Sequence, residues 1–178
     1  MFSSKVGQLL AVAVFAATVA GTAQAQNARD GFWFSGGLGY GTLGCNDCSG
    51  RTGSISGNLS LGGTISPRFL LGAGASGWTK SEQGATLTVG LVDARVRFYP
   101  QTHGGFFVTG GVGLGTVTGE ISGFGSHTET GLGMLLGMGW DIRVAKNVSM
   151  TPFWNGYAMQ NNNTDANVGQ VGVAITLH

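Results

Sequence analysis

Thr130-Gly-Leu-Gly-Met-Leu-Leu-Gly-Met-Gly-Trp-Asp-Ile-Arg-Val144 is the stretch whose reading decides the fold. Its even positions are Leu132, Met134, Leu136, Met138, Trp140, Ile142 and Val144. Its odd positions are Gly131, Gly133, Leu135, Gly137, Gly139, Asp141 and Arg143. Side chains of a strand alternate between two faces, so this period of two predicts a strand with one greasy face and one face of glycine and charge. Such a strand suits a wall between lipid and a packed polar lumen.

Seven more runs of this kind surround it, each broken by Gly, Ser, Asn, Asp or Pro. The eight expected strands are 31–42, 53–65, 68–78, 85–99, 105–118, 130–144, 148–159 and 168–177. No helical apolar period occurs after residue 25, and no stretch there approaches the ~20 apolar residues of a spanning helix. The expected fold is all-β, an eight-stranded antiparallel up-and-down transmembrane β-barrel. An even strand count puts both ends on one side, the periplasm of a bacterial barrel. The turns Ser66-Pro67, 101–104 and 145–147 then face inward, and 43–52, 79–84, 119–127 and 160–167 form four outer loops.

The first residues predict a secretory leader, with Lys5 as its positive start, Leu9 to Ala20 as its apolar stretch and Ala23-Gln24-Ala25 as its cleavage site. Removing 25 of 178 residues leaves 153, one barrel domain over residues 26–178. Without Lys5 the chain has eight Lys and Arg against eight Asp and Glu, which removes the basic excess of a nucleic-acid binder. A hydrophobic share of 42% is too high for disorder. The 34 glycines lack a Gly-x-y period, so collagen is excluded and tight sheet curvature is the better account.

Aromatic and charged residues test the topology independently. Phe32, Phe34, Phe69, Phe98, Tyr99, Phe106 and Trp140 all fall at periplasmic strand ends, where a barrel carries an aromatic girdle. Five charges fall well inside strands: Asp93, Arg95, Arg97, Asp141 and Arg143. Within each strand they share one parity, opposite the apolar stripe. An Arg facing lipid at the midplane costs about 2–4 kcal/mol, so the five are expected to line the lumen as an ion-pair network. Arg95 or Arg97 is expected to meet Asp141, and Asp93 to meet Arg143. Trp33, Trp78, Phe107, Phe153 and Tyr157 are expected to project inward among glycines and fill the narrow interior, the alternative being a small apolar pocket.

These features together resemble the small outer-membrane barrels of the OmpA, OmpX and opacity-protein type. The closing run Gln170-Val-Gly172-Val-Ala-Ile175-Thr-Leu177 is similar to that family's terminal pattern, in which Gln170, Gly172, Ile175 and Leu177 stand at the positions of the assembly signal. His178 departs from the pattern, which more often ends in Phe. The resemblance implies location in the outer membrane, outer-membrane lipid and the barrel assembly machinery as partners, and roles in adhesion, envelope integrity or surface contact.

Three short motifs carry possible chemistry. Cys45 and Cys48 form Cys-x-x-Cys in the first outer loop; zinc would need two further ligands, and an exported protein meets an oxidising compartment, so a loop disulfide is the reading and a free or metal-bound pair the alternative. Gly39-Tyr-Gly-Thr-Leu-Gly44 matches a dinucleotide fingerprint as a string, without the following helix that would cradle phosphate. Ser126, His127 and Glu129 bring hydroxyl, imidazole and carboxylate together, as a lipid hydrolase of the outer membrane would need. Consecutive strand residues face opposite sides, however, so Ser126 and His127 would not share one. The expected role is non-enzymatic: a monomeric barrel with a filled lumen, structural or acting through its outer loops on a surface ligand, with no cofactor, metal or nucleic acid. The alternatives are the lipid-modifying enzyme and a narrow channel for small solutes.

Overall fold

The computed structural model describes residues 29–45, 50–121, 123, 125–161 and 165–178. The expected leader 1–25 lies outside them, as do Cys48 and parts of three outer connections.

The chain forms β1 (Phe32–Gly44), β2 (Thr52–Ser66), β3 (Phe69–Glu82), β4 (Ala85–Phe98), β5 (Phe106–Ile121), β6 (Gly125–Trp140), β7 (Ile142–Ala145), β8 (Val148–Gln160) and β9 (Asp165–Leu177). Each pairs antiparallel with its neighbour. Pairing of β1 with β9, from Phe34 opposite Leu177 to Gly44 opposite Asn167, closes the sheet on itself. Closure leaves no strand edge, and every backbone group of the wall can be satisfied within it.

Nine strands make eight staves, because β6 and β7 lie end to end along β8. The expected strand 130–144 is therefore interrupted at Asp141. The β6–β8 ladder ends at Gly139 opposite Phe153, and the next residue of β8, Pro152, has no N–H to give it. The Asp141 amide donates instead to Gly105 O at 2.9 Å.

The alternation read from the sequence is the alternation of the wall. Leu132, Met134, Leu136, Met138 and Trp140 are all exposed, while Leu135, Gly133, Gly137 and Gly139 face inward and are buried. An apolar surface of this extent would aggregate in water and is matched by lipid. Phe32, Phe34, Phe69, Phe106 and Trp140 are exposed at one level, as a girdle requires, and Phe98 is half-exposed. Tyr99 is a correction. It directly follows outward-facing Phe98, so alternation turns it inward, and it is fully buried.

The outer ends of β3, β5 and β6 also differ from expectation. Residues 79–82 and 119–121, read as loop, are strand, as are 125–129. The connection from β3 to β4 is only the pair Gln83 (φ 50°) and Gly84 (φ 81°), a two-residue hairpin with both central residues in the left-handed region. The apolar period stops at the membrane boundary, but pairing continues because threonine suits a pleated strand in water as well as in lipid. Outward Thr79, Thr88, Thr118 and Thr128 stand opposite one another in a single row across β3 to β6. Thr79 bonds Thr88 at 3.1 Å and Thr118 bonds Thr128 at 2.9 Å. This row lies directly beyond lipid-facing Val92, Leu114 and Leu132 and their glycine neighbours, and marks the outer boundary of the apolar belt.

Candidate functional site

The lumen is built in three storeys. At its middle, Arg95 on β4 donates from Nε and Nη2 to the Asp93 carboxylate at 2.9 and 2.6 Å. Its Nη2 also lies 3.3 Å from Ser76 Oγ. Both side chains are essentially buried, at 2% and 0% exposure. Residues two apart on a strand share a face, which brings the pair together. Glycine makes the room: a Cβ on Gly74 would collide with the Arg95 guanidinium, and one on Gly111 with the Asp93 carboxylate. The sequence reading expected these residues to pair across strands. Instead Asp93 is taken by Arg95, and the inward glycines explain why the local pair fits.

The periplasmic storey is a plug of rings and charges. Trp33, Leu70, Tyr99 and Phe107 form one buried cluster. The Arg97 guanidinium lies over the rings of Trp33 and Phe107, 4.5 and 4.8 Å from their centroids, and donates to Ser60 Oγ at 3.0 Å. A guanidinium over a ring face is attracted by the ring quadrupole. Tyr99 donates its hydroxyl to Asp141 Oδ2 at 2.7 Å, and Thr151 donates to Asp141 Oδ1 at 2.7 Å. His178 Nε2 lies 3.4 Å from Asp141 Oδ2. Arg29, ahead of β1, stacks over Tyr99 at 3.5 Å and donates to the carbonyls of Thr102 and Gly104. Arg143 sits half-buried on β7 opposite Ser149. Asp141 thus gathers Tyr99, Thr151 and His178 directly, not Arg95.

The outer storey opens to the surface as a cavity of about 1090 Å³. Its floor is Trp78, whose Nε1 donates to Gly41 O at 3.0 Å, above a buried cluster that includes Leu91, Leu135, Tyr157 and Val168. Lys80 and Glu82 on β3 pair at 2.8 Å. His127 and Glu129 on β6 pair at 2.9 Å, and Asn161 donates to the second Glu129 oxygen at 3.0 Å. These bonds hold the Glu129 carboxyl below the usual range, His127 contributing most, and the Lys80 bond does the same for Glu82. Arg51 donates to Thr42 Oγ1 and O and to Asn167 Oδ1, tying the mouths of β1 and β9 to β2.

Of the residues singled out from the sequence, Trp33, Trp78, Phe107, Phe153 and Tyr157 all project inward and are buried. His127 and Glu129 come together, while Ser126, the preceding strand residue, has the opposite parity. Gln170 points inward and is buried, Gly172 lies against Gly39 and Phe153, and Ile175 and Leu177 face lipid. Cys45 stands directly after β1, and its expected partner Cys48 lies outside the described residues. Arg29, Thr151, Lys80 and Glu82 were not singled out, and His178, read as a surface histidine at the end of the closing strand, is instead buried against Asp141. Only for Thr151 did the pattern hold a signal, since it shares the inward parity of Phe153 and Tyr157.

The chain can be placed among known proteins by this architecture. A family model described as "Outer membrane protein beta-barrel domain" matches residues 9–176. No curated protein sequence matches the chain. Among solved structures, Neisserial surface protein A superposes with a TM-score of 0.62 at 15% identity, covering 82% of this chain and 96% of that one. The attachment invasion locus protein Ail of Yersinia pestis gives 0.58 at 9% identity, over 84% and 99%. Ail is also solved in complex with the heparin analogue sucrose octasulfate. The N-terminal barrel of Pseudomonas aeruginosa OprF gives 0.51 at 14% identity, over 83% and 98%. At these identities the likeness is one of fold.

Proposed function

The chain belongs to the outer-membrane β-barrel family and resides in the outer membrane, and from that premise we propose that it is a sealed, monomeric, non-enzymatic barrel that acts at the cell surface through its outer end. The observation that carries this reading is the periplasmic plug. Trp33, Leu70, Tyr99 and Phe107 are each 2% exposed or less, and Arg97 and Asp141 fill what the rings leave. An eight-stranded barrel has an interior just wide enough for side chains, and here they meet across it. Above the plug, Arg95 and Asp93 neutralise each other, so no row of unpaired charge draws an ion inward.

What remains accessible is the outer mouth. The heparin analogue bound by Ail belongs to that protein; for this chain it supports only the idea that a small barrel of this fold meets surface ligands. Ser126, His127 and Glu129 do not favour a hydrolase: His127 Nε2 is engaged by Glu129, and Ser126, although it lines the same cavity, has the opposite strand parity. The leader through Ala25 is cleaved on export, β9 with Gln170, Gly172, Ile175 and Leu177 is read by the barrel assembly machinery, and Cys45 and Cys48 close the first outer loop as a disulfide.

The test is conductance. Protein shown to be folded by its faster gel migration unboiled than boiled is inserted into planar lipid bilayers. A silent bilayer is expected. Persistent, uniform conductance steps from the folded protein would overturn the sealed-lumen reading.

A further inference from the structure

At the outer boundary the buried cluster ends with Trp78 and Val89, and beyond them the inner face of the barrel carries the exposed apolar side chains Leu87 and Ile121. The register stacks three inward rows there. The lowest is Trp78, Val89, Val117 and Glu129, the next Lys80, Leu87, Gly119 and His127, and the uppermost Glu82, Ala85, Ile121 and Gly125. Read vertically, β4 and β5 present one continuous apolar stripe, Val89 and Leu87 beside Val117 and Ile121. Charge flanks the stripe on both sides, with the Lys80–Glu82 pair on β3 and the His127–Glu129 pair on β6. Leu87 is 36% and Ile121 57% exposed, inside a cavity of about 1090 Å³ floored by the indole of Trp78. That volume stands at the upper end of small-molecule clefts, which run about 300–1,000 Å³.

Lipid does not account for this stripe, because its side chains have inward parity and the upper two rows lie above the outward threonines. Pleated-strand chemistry does not account for it either, since the outward positions of the same strands are Thr86, Thr88, Thr116 and Thr118. The charges around it are committed to one another. Lys80 holds Glu82, His127 holds Glu129, and Arg51 is spent on Thr42 and Asn167. Glu120 has outward parity and reaches the cavity only at its rim. An uncharged apolar guest would cover Leu87 and Ile121 without breaking either ion pair, while its polar edge met the rim.

We propose that this trough is a binding site for a small, uncharged, mainly apolar molecule, seated on Leu87 and Ile121 between the two ion pairs. The site goes beyond the sealed-barrel reading and rests on it only for the outer end being the accessible one. The experiment uses the folded chain in lipid nanodiscs with labelled Leu, Val and Ile methyl groups, titrated with 1-naphthol as the probe. Saturable shifts are expected at Leu87, Ile121 and Val117 at submillimolar naphthol. Lipid-facing Ile175 reports partitioning into the bilayer and should only drift without saturating. The double variant Leu87→Ser with Ile121→Ser changes side chains that already meet water, so folding should survive, as gel mobility checks. Read at Val117, its affinity for naphthol should fall at least tenfold. No saturable shift at Leu87 and Ile121, or undiminished affinity in the double variant, overturns the proposal. So do methyl contacts from the chain's own residues or from a second copy that naphthol fails to displace. A bilayer that stays silent while naphthol fails to bind would sink this site and leave the sealed lumen standing.

Discussion

Replacing Arg95 with alanine isolates the charge at the centre of the barrel. The guanidinium gives the Asp93 carboxylate two hydrogen bonds, of 2.9 and 2.6 Å, and both side chains are nearly inaccessible. Alanine removes the donor and leaves Asp93 buried between glycines that offer nothing in exchange, Gly74 on one side and Gly113 on the other. Breaking one half of a buried pair costs about 3–5 kcal/mol, most of it the unpaired charge left behind. At a urea slope of about 2 kcal/mol per molar, a 4 kcal/mol loss moves the unfolding midpoint down by about 2 M. The assay is urea unfolding of the chain in lipid vesicles, followed by tryptophan fluorescence. Lys80→Ala is the control, because its partner Glu82 is open to water and exposed pairs contribute little. The double variant Asp93→Ala with Arg95→Ala should recover part of the loss, since neither charge remains. Equal midpoints for Arg95→Ala and Lys80→Ala would refute the reasoning and mean that Asp93 is as well solvated without its partner as with it.

Two further outcomes follow from the same geometry. Gly74→Ala should destabilise by about 1–3 kcal/mol, the usual cost of overpacking, because its Cβ would meet the Arg95 guanidinium; lipid-facing Gly77, with nothing within 4 Å of an added Cβ, should accept alanine with no loss in the same urea assay. At the mouth, hydrogen bonds from His127 first and Asn161 second hold the Glu129 carboxyl low, so the pairing persists above the ordinary glutamate range and is lost only as pH falls through the depressed value; a carboxyl-carbon NMR titration should show His127→Ala raising the Glu129 midpoint, and an unmoved midpoint would contradict the pairing.

The wall of the barrel was legible in the sequence because lipid imposes a strict rule. Every second residue from Leu132 to Trp140 must be apolar, and a slip of one would put glycine and aspartate into the bilayer. The inward parity of Asp93, Arg95, Arg97 and Asp141 followed from the same rule. Which charge pairs with which did not follow, because partners in a lumen depend on space, and space depends on glycines in neighbouring strands. Gly74 and Gly111 decide that Arg95 folds back onto Asp93, and neither lies near it in sequence. The outer ends of β3, β5 and β6 were read as loop because the apolar period lapses there. In water both faces of a hairpin can be polar and still pair, so the signal that marks a strand in lipid vanishes at Thr79 and Gly119 although the ladder does not.

The one break in the best-patterned strand is itself informative. Asp141 interrupts β6 and β7 one step past the level of a proline that cannot complete the ladder, and its carboxylate is the point where Tyr99, Thr151 and His178 converge. Those residues come from the β4–β5 turn, from β8 and from the last residue of the chain. A departure from local regularity at a site that joins distant segments is where sequence rules are expected to yield to tertiary demand. The terminal histidine then has a physical account. An apolar ring at position 178 could fill the same space but could offer the Asp141 carboxylate no nitrogen, whereas the histidine reaches Asp141 with its side chain and Asn147 O with its backbone amide at 3.0 Å. The residue that departs most from the familiar closing pattern is thus the one that fastens the end of the chain to the plug.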